Sequence, residues 1–226
     1  MLSTKDMSAG SGKAKPVIVS GNQELKINSI TLNAPAYDQS AYDLIINAES
    51  KPMGEGFEGF LLDVNNPNGP RYKGQVGRVK FSRYSFSDTT LPSGMEIQRD
   101  PSILKALINL AENAGKRAEV DSIQASTIED FVSKASALLS GETYYNFCVG
   151  GREWENKEGY TNLDLFLPKF MSTAVPFESV GAEPSKMMTF DQSKHVIALK
   201  KKSNDEVVSA FGPAATGGLG GDDFDL

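Results

Sequence analysis

Between Arg71 and Phe86 the chain carries five basic side chains (Arg71, Lys73, Arg78, Lys80, Arg83), four aromatic ones (Tyr72, Phe81, Tyr84, Phe86) and no acid. In an extended chain successive side chains point to opposite faces. Arg78, Lys80, Ser82 and Tyr84 then share one face, and Val79, Phe81, Arg83 and Ser85 the other. A row of cations can follow a line of phosphates, and ring faces stack on bases whatever the base. Stacking contributes about 1–3 kcal/mol per base, so a few rings among a few cations suffice for useful affinity to a single strand. The same residues also fit a strand whose rings are core and whose cations are solvated. Taken alone the segment divides evenly between the two readings.

A second stretch of the same kind runs from Arg152 to Tyr160 and puts the only tryptophan, Trp154, at the end of a hairpin, with Lys169 and Phe170 on the return strand. Arg71, Lys73, Arg78, Lys80 and Arg83 are the phosphate candidates, joined by Arg152 and Lys169. Tyr72, Phe81, Tyr84, Trp154 and Tyr160 are the stacking candidates, of which a part must be core.

The chain ends Gly218-Leu219-Gly220-Gly221-Asp222-Asp223-Phe224-Asp225-Leu226. Glycines make a flexible tether. Asp222, Asp223, Phe224, Asp225 and Leu226 make an acidic-hydrophobic tip too short to pack a core of its own. It suits a basic-rimmed apolar pocket on a partner, or competition with an anionic ligand for a basic groove on its own chain. A frayed, solubilising terminus accounts for the glycines and aspartates, but gives no role to Phe224 and Leu226.

Other chemistries find little support. One histidine (His195) and one cysteine (Cys148) cannot build a Cys/His zinc site. A nucleophilic triad would rest on His195, which lies in an apolar run with no nucleophile motif nearby. Ser11-Gly12-Lys13 lacks the flanks of a phosphate loop, with Met7 and Ala14 where glycine and Ser/Thr are needed. The loop Asp63–Pro70 echoes a calcium loop, but Pro67 and Asn68 break it. No compact carboxylate cluster is visible for two-metal chemistry. No metal or cofactor is expected.

The net charge is −6, and Asp205, Glu206, Asp222, Asp223 and Asp225 put five negative charges after residue 203 with no Lys or Arg among them. The remainder is then close to neutral, at −1, which leaves room for a basic face. A lone cysteine cannot form an intramolecular disulfide and fits a reducing compartment. There is no secretory h-region and no apolar run long enough to span a bilayer. A soluble, intracellular protein is expected, without a membrane partner.

The elements that must position these residues follow from periodicity. Residues 24–32 alternate, with Leu25 and Ile27 inward and, after a slip near Ser29, Ile30 and Leu32 inward, which predicts a strand with a bulge. Further strands are predicted at 42–49 and 57–63, with a turn at 35–40. Arg71–Phe86 reads as one long extended segment that Gly74 and Gly77 allow to bend. Helices are predicted over 101–116, with Asp100 as N-cap and Pro101 in the first turn, and over 127–139, with Thr127 as N-cap. Strands at 143–155 and 160–170 make a hairpin about Asn156–Gly159, 176–186 reads as irregular, and 195–200 as a last short strand. No strand-helix-strand alternation is present, which argues against a parallel doubly wound sheet. Strands, then helices, then a hairpin predict a mainly β, α+β chain: an OB-fold five-stranded barrel with elaborated loops and helix between its third and fourth strands. The expected layout is a flexible basic N-terminal arm over 1–22, the barrel over 23–202, and a disordered Gly-rich acidic tail over 203–226.

The hairpin Gly150-Gly151-Arg152-Glu153-Trp154-Glu155-Asn156-Lys157-Glu158-Gly159-Tyr160-Thr161-Asn162, the run Leu165-Phe166-Leu167-Pro168-Lys169-Phe170 and the run Gln75-Val76-Gly77-Arg78-Val79 resemble single-stranded DNA-binding proteins of tailed bacteriophages, especially crAss-like phages. The resemblance covers residues 20–178 and the acidic tip. It implies an OB fold, sequence-independent binding of single-stranded DNA in phage replication and recombination, no enzymatic activity, and residence in the cytoplasm of the infected host. It also implies recruitment of replication or recombination proteins through Asp222–Leu226. The tip ends Phe-Asp-Leu, without a terminal proline-phenylalanine, which favours a phage-encoded partner over a host one. An oligomer is compatible with all of this. The rival expectation is a virion or scaffold interaction protein that does not bind DNA.

Overall fold

The computed structural model describes residues 17–61, 68 and 71–199. Most of the expected N-terminal arm and the whole of the acidic tail, with Asp222, Asp223, Phe224, Asp225 and Leu226, lie outside the described residues.

Strand β1 (Gly21–Asn33) turns Leu25, Ile27 and Ile30 into the core. The extra residue between Ile27 and Ile30 is taken up by Asn28, which has no partner between the pairs Ile27↔Ala48 and Ser29↔Asn47. This is the expected bulge. Strand β2 (Asp43–Ser50) sends Leu44, Ile46 and Ala48 inward and Asp43, Ile45 and Asn47 to the outer face. Strands β3 (Phe60–Leu61) and β4 (Arg71–Tyr72) pair only with each other, in a hairpin beside the barrel. Strand β5 (Val76–Lys80) pairs antiparallel with β2 and is the barrel's third strand.

The strand expected at 57–63 is therefore short and outside the barrel, and the long segment from Arg71 to Phe86 is broken in two. Gly74 is the reason for the break. A side chain there would place Cβ 2.0 Å from the Ser50 carbonyl oxygen, so the chain passes β2 at a distance only glycine tolerates. Beyond Lys80 the chain bends away through Ser82–Tyr84.

Strands β6 (Thr89–Thr90) and β7 (Glu96–Ile97) form a small exposed hairpin that leads into helix α1 (Arg99–Asn113). Its N-cap is Gln98 rather than Asp100: the Arg99 amide donates to the Asp88 carboxylate at 2.8 Å, and Asp100 is engaged by the Arg99 side chain at 2.7 Å. Gly115, at φ 68°, ends the helix in the left-handed region that favours glycine. A short helix α2 (Arg117–Asp121), not expected from the sequence, precedes α3 (Ile128–Leu139). Thr127 caps α3 as expected, its hydroxyl accepting from the Asp130 amide at 3.2 Å. Helix α3 lies on β1 and fixes it: Ser136 Oγ accepts from the Ile30 amide at 2.7 Å.

Strand β8 (Tyr144–Glu155) closes the barrel. Its first half pairs with β1 and its second half with β9 (Thr161–Phe166). Strand β9 runs parallel to β5 through Val79↔Leu165 and Lys80↔Phe166. The circuit β1-β2-β5-β9-β8 and back to β1, with helices between β5 and β8, is the OB arrangement. Val79, Leu25, Ile46, Phe147 and Leu165 meet the inner faces of α1 and α3 (Ile103, Leu107, Val132, Leu139) in one core.

Two strips complete the fold. Where β9 leaves β5, Val17 bridges Val76 and the Ile18 amide donates to the Val76 carbonyl at 2.9 Å. Ile18 is buried over Gly77, whose absent side chain leaves the room: a Cβ there would stand 2.8 Å from Ile18 Cβ. Residues 17–22, inside the span expected as an arm, thus belong to the fold. At the other end, β10 (Phe177–Ser179), in the stretch expected to be irregular, pairs with the first half of β8 and buries Phe177. Helix α4 (Gln192–His195) and β11 (Val196–Ile197) follow, and β11 pairs in parallel with Gly151 and Arg152 of β8. No helix among the described residues is long and apolar enough to cross a membrane.

Candidate functional site

Because Val79 is inward, Arg78 and Lys80 must project from the outer face of β5. They stand over a concave surface made by β1, β2, β5 and β9. A cavity of about 850 Å³ there is lined by Val17, Asn47, Tyr72, Arg78, Lys80 and Asp164, among others. A second, of about 150 Å³, is lined by Tyr37, Lys80, Arg83, Ser85, Arg152 and Asp164, among others. Lys80, Asp164 and Leu165 line both, so the two form one groove with Tyr72 at one end and Tyr37 at the other.

Four cations face this groove. Arg78 is exposed; with the Asn33 amide turned to satisfy both its ends, that oxygen accepts from Arg78 Nη2 at 2.9 Å. Lys80 is half-buried and pairs with Asp43 at 2.9 Å. Arg83 lies over the exposed Tyr84 ring, 4.4 Å from its centroid. Arg152 is exposed on β8, in the stretch held on one side by β9 and on the other by β11. The floor between them combines Asn47, which donates to Ser29 Oγ at 2.9 Å, with the apolar Ile45, Ala48 and Leu165, and the carboxylates of Asp43 and Asp164 lie among the lining.

The hairpin of β8 and β9 supplies aromatic surface. Trp154 is exposed and its indole Nε1 donates to Asp164 Oδ1 at 3.0 Å, which ties the ring to a residue of the groove wall. Tyr160 is exposed at the turn, where the Asn156 side chain accepts from the amides of Glu158 and Tyr160. Tyr160 and Lys169 line neither cavity.

Phe81 is placed differently from what a stacking role needs. Its ring packs against the core and stacks on Phe170 with centroids 5.3 Å apart and planes 10° apart, so that face is already covered. Arg71 and Lys73 belong to the stretch beside β3 rather than to the β5 face. Arg71 is 3.9 Å from Glu58, and Lys73 Nζ donates to the Phe57 carbonyl at 2.8 Å. Of the expected set, then, Tyr72, Arg78, Lys80, Arg83 and Arg152 converge, Trp154 joins through Asp164, Tyr84 joins through Arg83, and the rest stand apart.

The reading from sequence did not assign Tyr37, Asp43, Ser85 or Asp164 to a binding groove. Tyr37 had a signal: it is a bare aromatic in the turn between the first two strands, a loop that borders the ligand face of an OB barrel. The acids had none, because a carboxylate in a cationic groove is legible only once its partners are in place.

Chemistry at the lone thiol is unfavourable. Cys148 is buried, and burial pushes its thiol up to about 11. His195 Nδ1 lies 4.0 Å from the sulfur, but it accepts from the Asp191 amide at 3.0 Å and so is not free to take the thiol proton. Among the described residues no group of three or more His, Cys, Asp or Glu is placed to hold a metal ion.

No protein-family model, curated protein or solved structure matches the chain.

Proposed function

We propose that this chain binds and protects single-stranded DNA without selecting sequence and without breaking bonds in it. The observation that carries this reading is the groove: Arg78, Lys80, Arg83 and Arg152 converge on the outer face of an OB-like barrel, with the exposed rings of Trp154 and Tyr84 beside them. Cations set to track phosphate next to sequence-tolerant stacking surfaces are what a single strand requires. A floor of Asn47, Ser29 and apolar side chains would meet bases without reading one of them. In a phage-infected cell the reading places the protein in the bacterial cytoplasm, in replication and recombination. The tip Asp222–Leu226 would recruit replication or recombination proteins and compete for the groove when DNA is absent.

The test is fluorescence anisotropy of a labelled dT oligonucleotide, titrated with the full chain at two salt concentrations while Trp154 emission is recorded. Tight binding that weakens steeply with salt supports the reading, and quenching puts Trp154 at the bases. No binding at low salt overturns it and favours a scaffold role. Removing 203–226 takes away five negative charges; it should strengthen binding at low salt and abolish partner recruitment. If neither changes, the role given to the tail is wrong.

A further inference from the structure

Tyr37 lies in the loop between β1 and β2, with 80% of its surface exposed. A ring so open has no packing to hold it, yet this one is tied at its far end. Its hydroxyl is 2.8 Å from Ser85 Oγ. Ser85 Oγ in turn donates to Asp43 Oδ1 at 2.6 Å, which spends the serine's only proton, so Tyr37 is the donor to Ser85. The other oxygen of Asp43 accepts from Lys80 Nζ at 2.9 Å. Asp43 is only 7% exposed, a buried acid set among the cations of the groove. The relay Tyr37–Ser85–Asp43–Lys80 gives that acid a task, since one carboxylate fixes both a cation and a ring.

The backbone beneath the ring is held as well. The Asp38 amide donates to the Pro35 carbonyl at 3.1 Å, and the Ser40 amide to Asp38 Oδ1 at 2.9 Å. Arg99 Nη1 donates to the Ser40 carbonyl at 2.8 Å and moors the loop to α1. The ring shares the small end of the groove with Lys80, Arg83 and Arg152. An aromatic face kept in solvent, oriented through its hydroxyl and bordered by three cations is spared the entropy of ordering when a ligand arrives.

We propose that Tyr37 is a base-stacking residue at this end of the groove, its ring set in advance by Ser85 and Asp43. A nucleotide whose phosphate meets Lys80 or Arg83 would lay its base on Tyr37. The proposal rests on the groove being a site for single-stranded DNA, and its test separates the two.

The full chain and its Tyr37→Ala and Tyr37→Phe variants are titrated against a labelled dT oligonucleotide over a range of salt. Tyr37→Ala should weaken binding about tenfold, the loss of one stacked base, with the slope of log K against log salt unchanged because no cation has been removed. Tyr37→Phe keeps the ring and should lose about threefold or less, one exposed hydrogen bond. If the unaltered chain binds and Tyr37→Ala binds equally well, the role of Tyr37 falls and the groove reading stands. If Tyr37→Ala flattens the salt slope, the loop serves the cations and not a base, and the stacking role again falls. If the unaltered chain does not bind, both fall together.

Discussion

Lys80 and Asp43 make the tightest charged contact of the groove, and they differ from Arg78 in what a phosphate would have to displace. Arg78 is exposed and meets a neutral amide, whereas Lys80 must share itself with a buried carboxylate. Arg78→Ala should therefore weaken oligonucleotide binding across all sequences and lower the salt slope by about 0.7, the value for one phosphate contact on a single strand. Titrations at four or more salt concentrations give that slope; an unchanged slope would remove Arg78 from the interface. Cys148, on β8, makes a separate prediction. With its thiol pushed up to about 11 by burial, it should resist thiol reagents at pH 8 in the native state and react once the chain is unfolded in urea. Rapid native labelling would mean that β8 is more open than its pairing with β1, β9 and β10 indicates.

Among the elements, α3 and the crossing at Gly74 can be tested without touching the groove. Thr127 was legible as the cap of α3 because the apolar spacing that follows it fixes where the helix must start. Removing its hydroxyl with Thr127→Ala should cost about 1 kcal/mol in a urea melt. Gly74→Ala should cost far more. Its Cβ would meet the carbonyl of Ser50, a backbone atom that cannot swing aside as a side-chain end can. A loss of at least about 2 kcal/mol, or failure to fold, is expected, and a stability equal to the unaltered chain would show that the two segments do not cross as described. The cap of α1 shows the limit of local reading. Asp100 has the right residue type, but Asp88 reaches the Arg99 amide from across the β6–β7 hairpin.

For the molecule as a whole, the strand order was within reach because alternation, helix periodicity and turn residues are local signals. They identified β1 with its bulge, β2, α1, α3 and the β8–β9 hairpin. Their order, with helices between the third and fourth barrel strands, was enough to suggest the barrel. The charge row of β5 was equally plain, because the two-residue period of a strand commits Arg78 and Lys80 to the face opposite Val79. Other features depend on contacts between residues far apart in the chain, which no local period encodes. The third barrel strand is 76–80 and not 57–63, because β3 finds its partner only in β4 and because glycines at 74 and 77 let the chain cross Ser50 and Ile18 closely. In sequence Phe81 stands among cations and Tyr37 far from any, with no Lys or Arg between Lys26 and Lys51, yet it is Tyr37 that borders the cations of the groove. Tertiary packing separates them: Phe170 covers one ring, and a hydroxyl held by Ser85 leaves the other in solvent. The sequence by itself determined which residue types were available, which face of each strand they occupy, and the excess of negative charge beyond residue 203. Only the tertiary structure decided which cations share a groove and which rings remain open, since convergence is a property of strands brought together from distant parts of the chain.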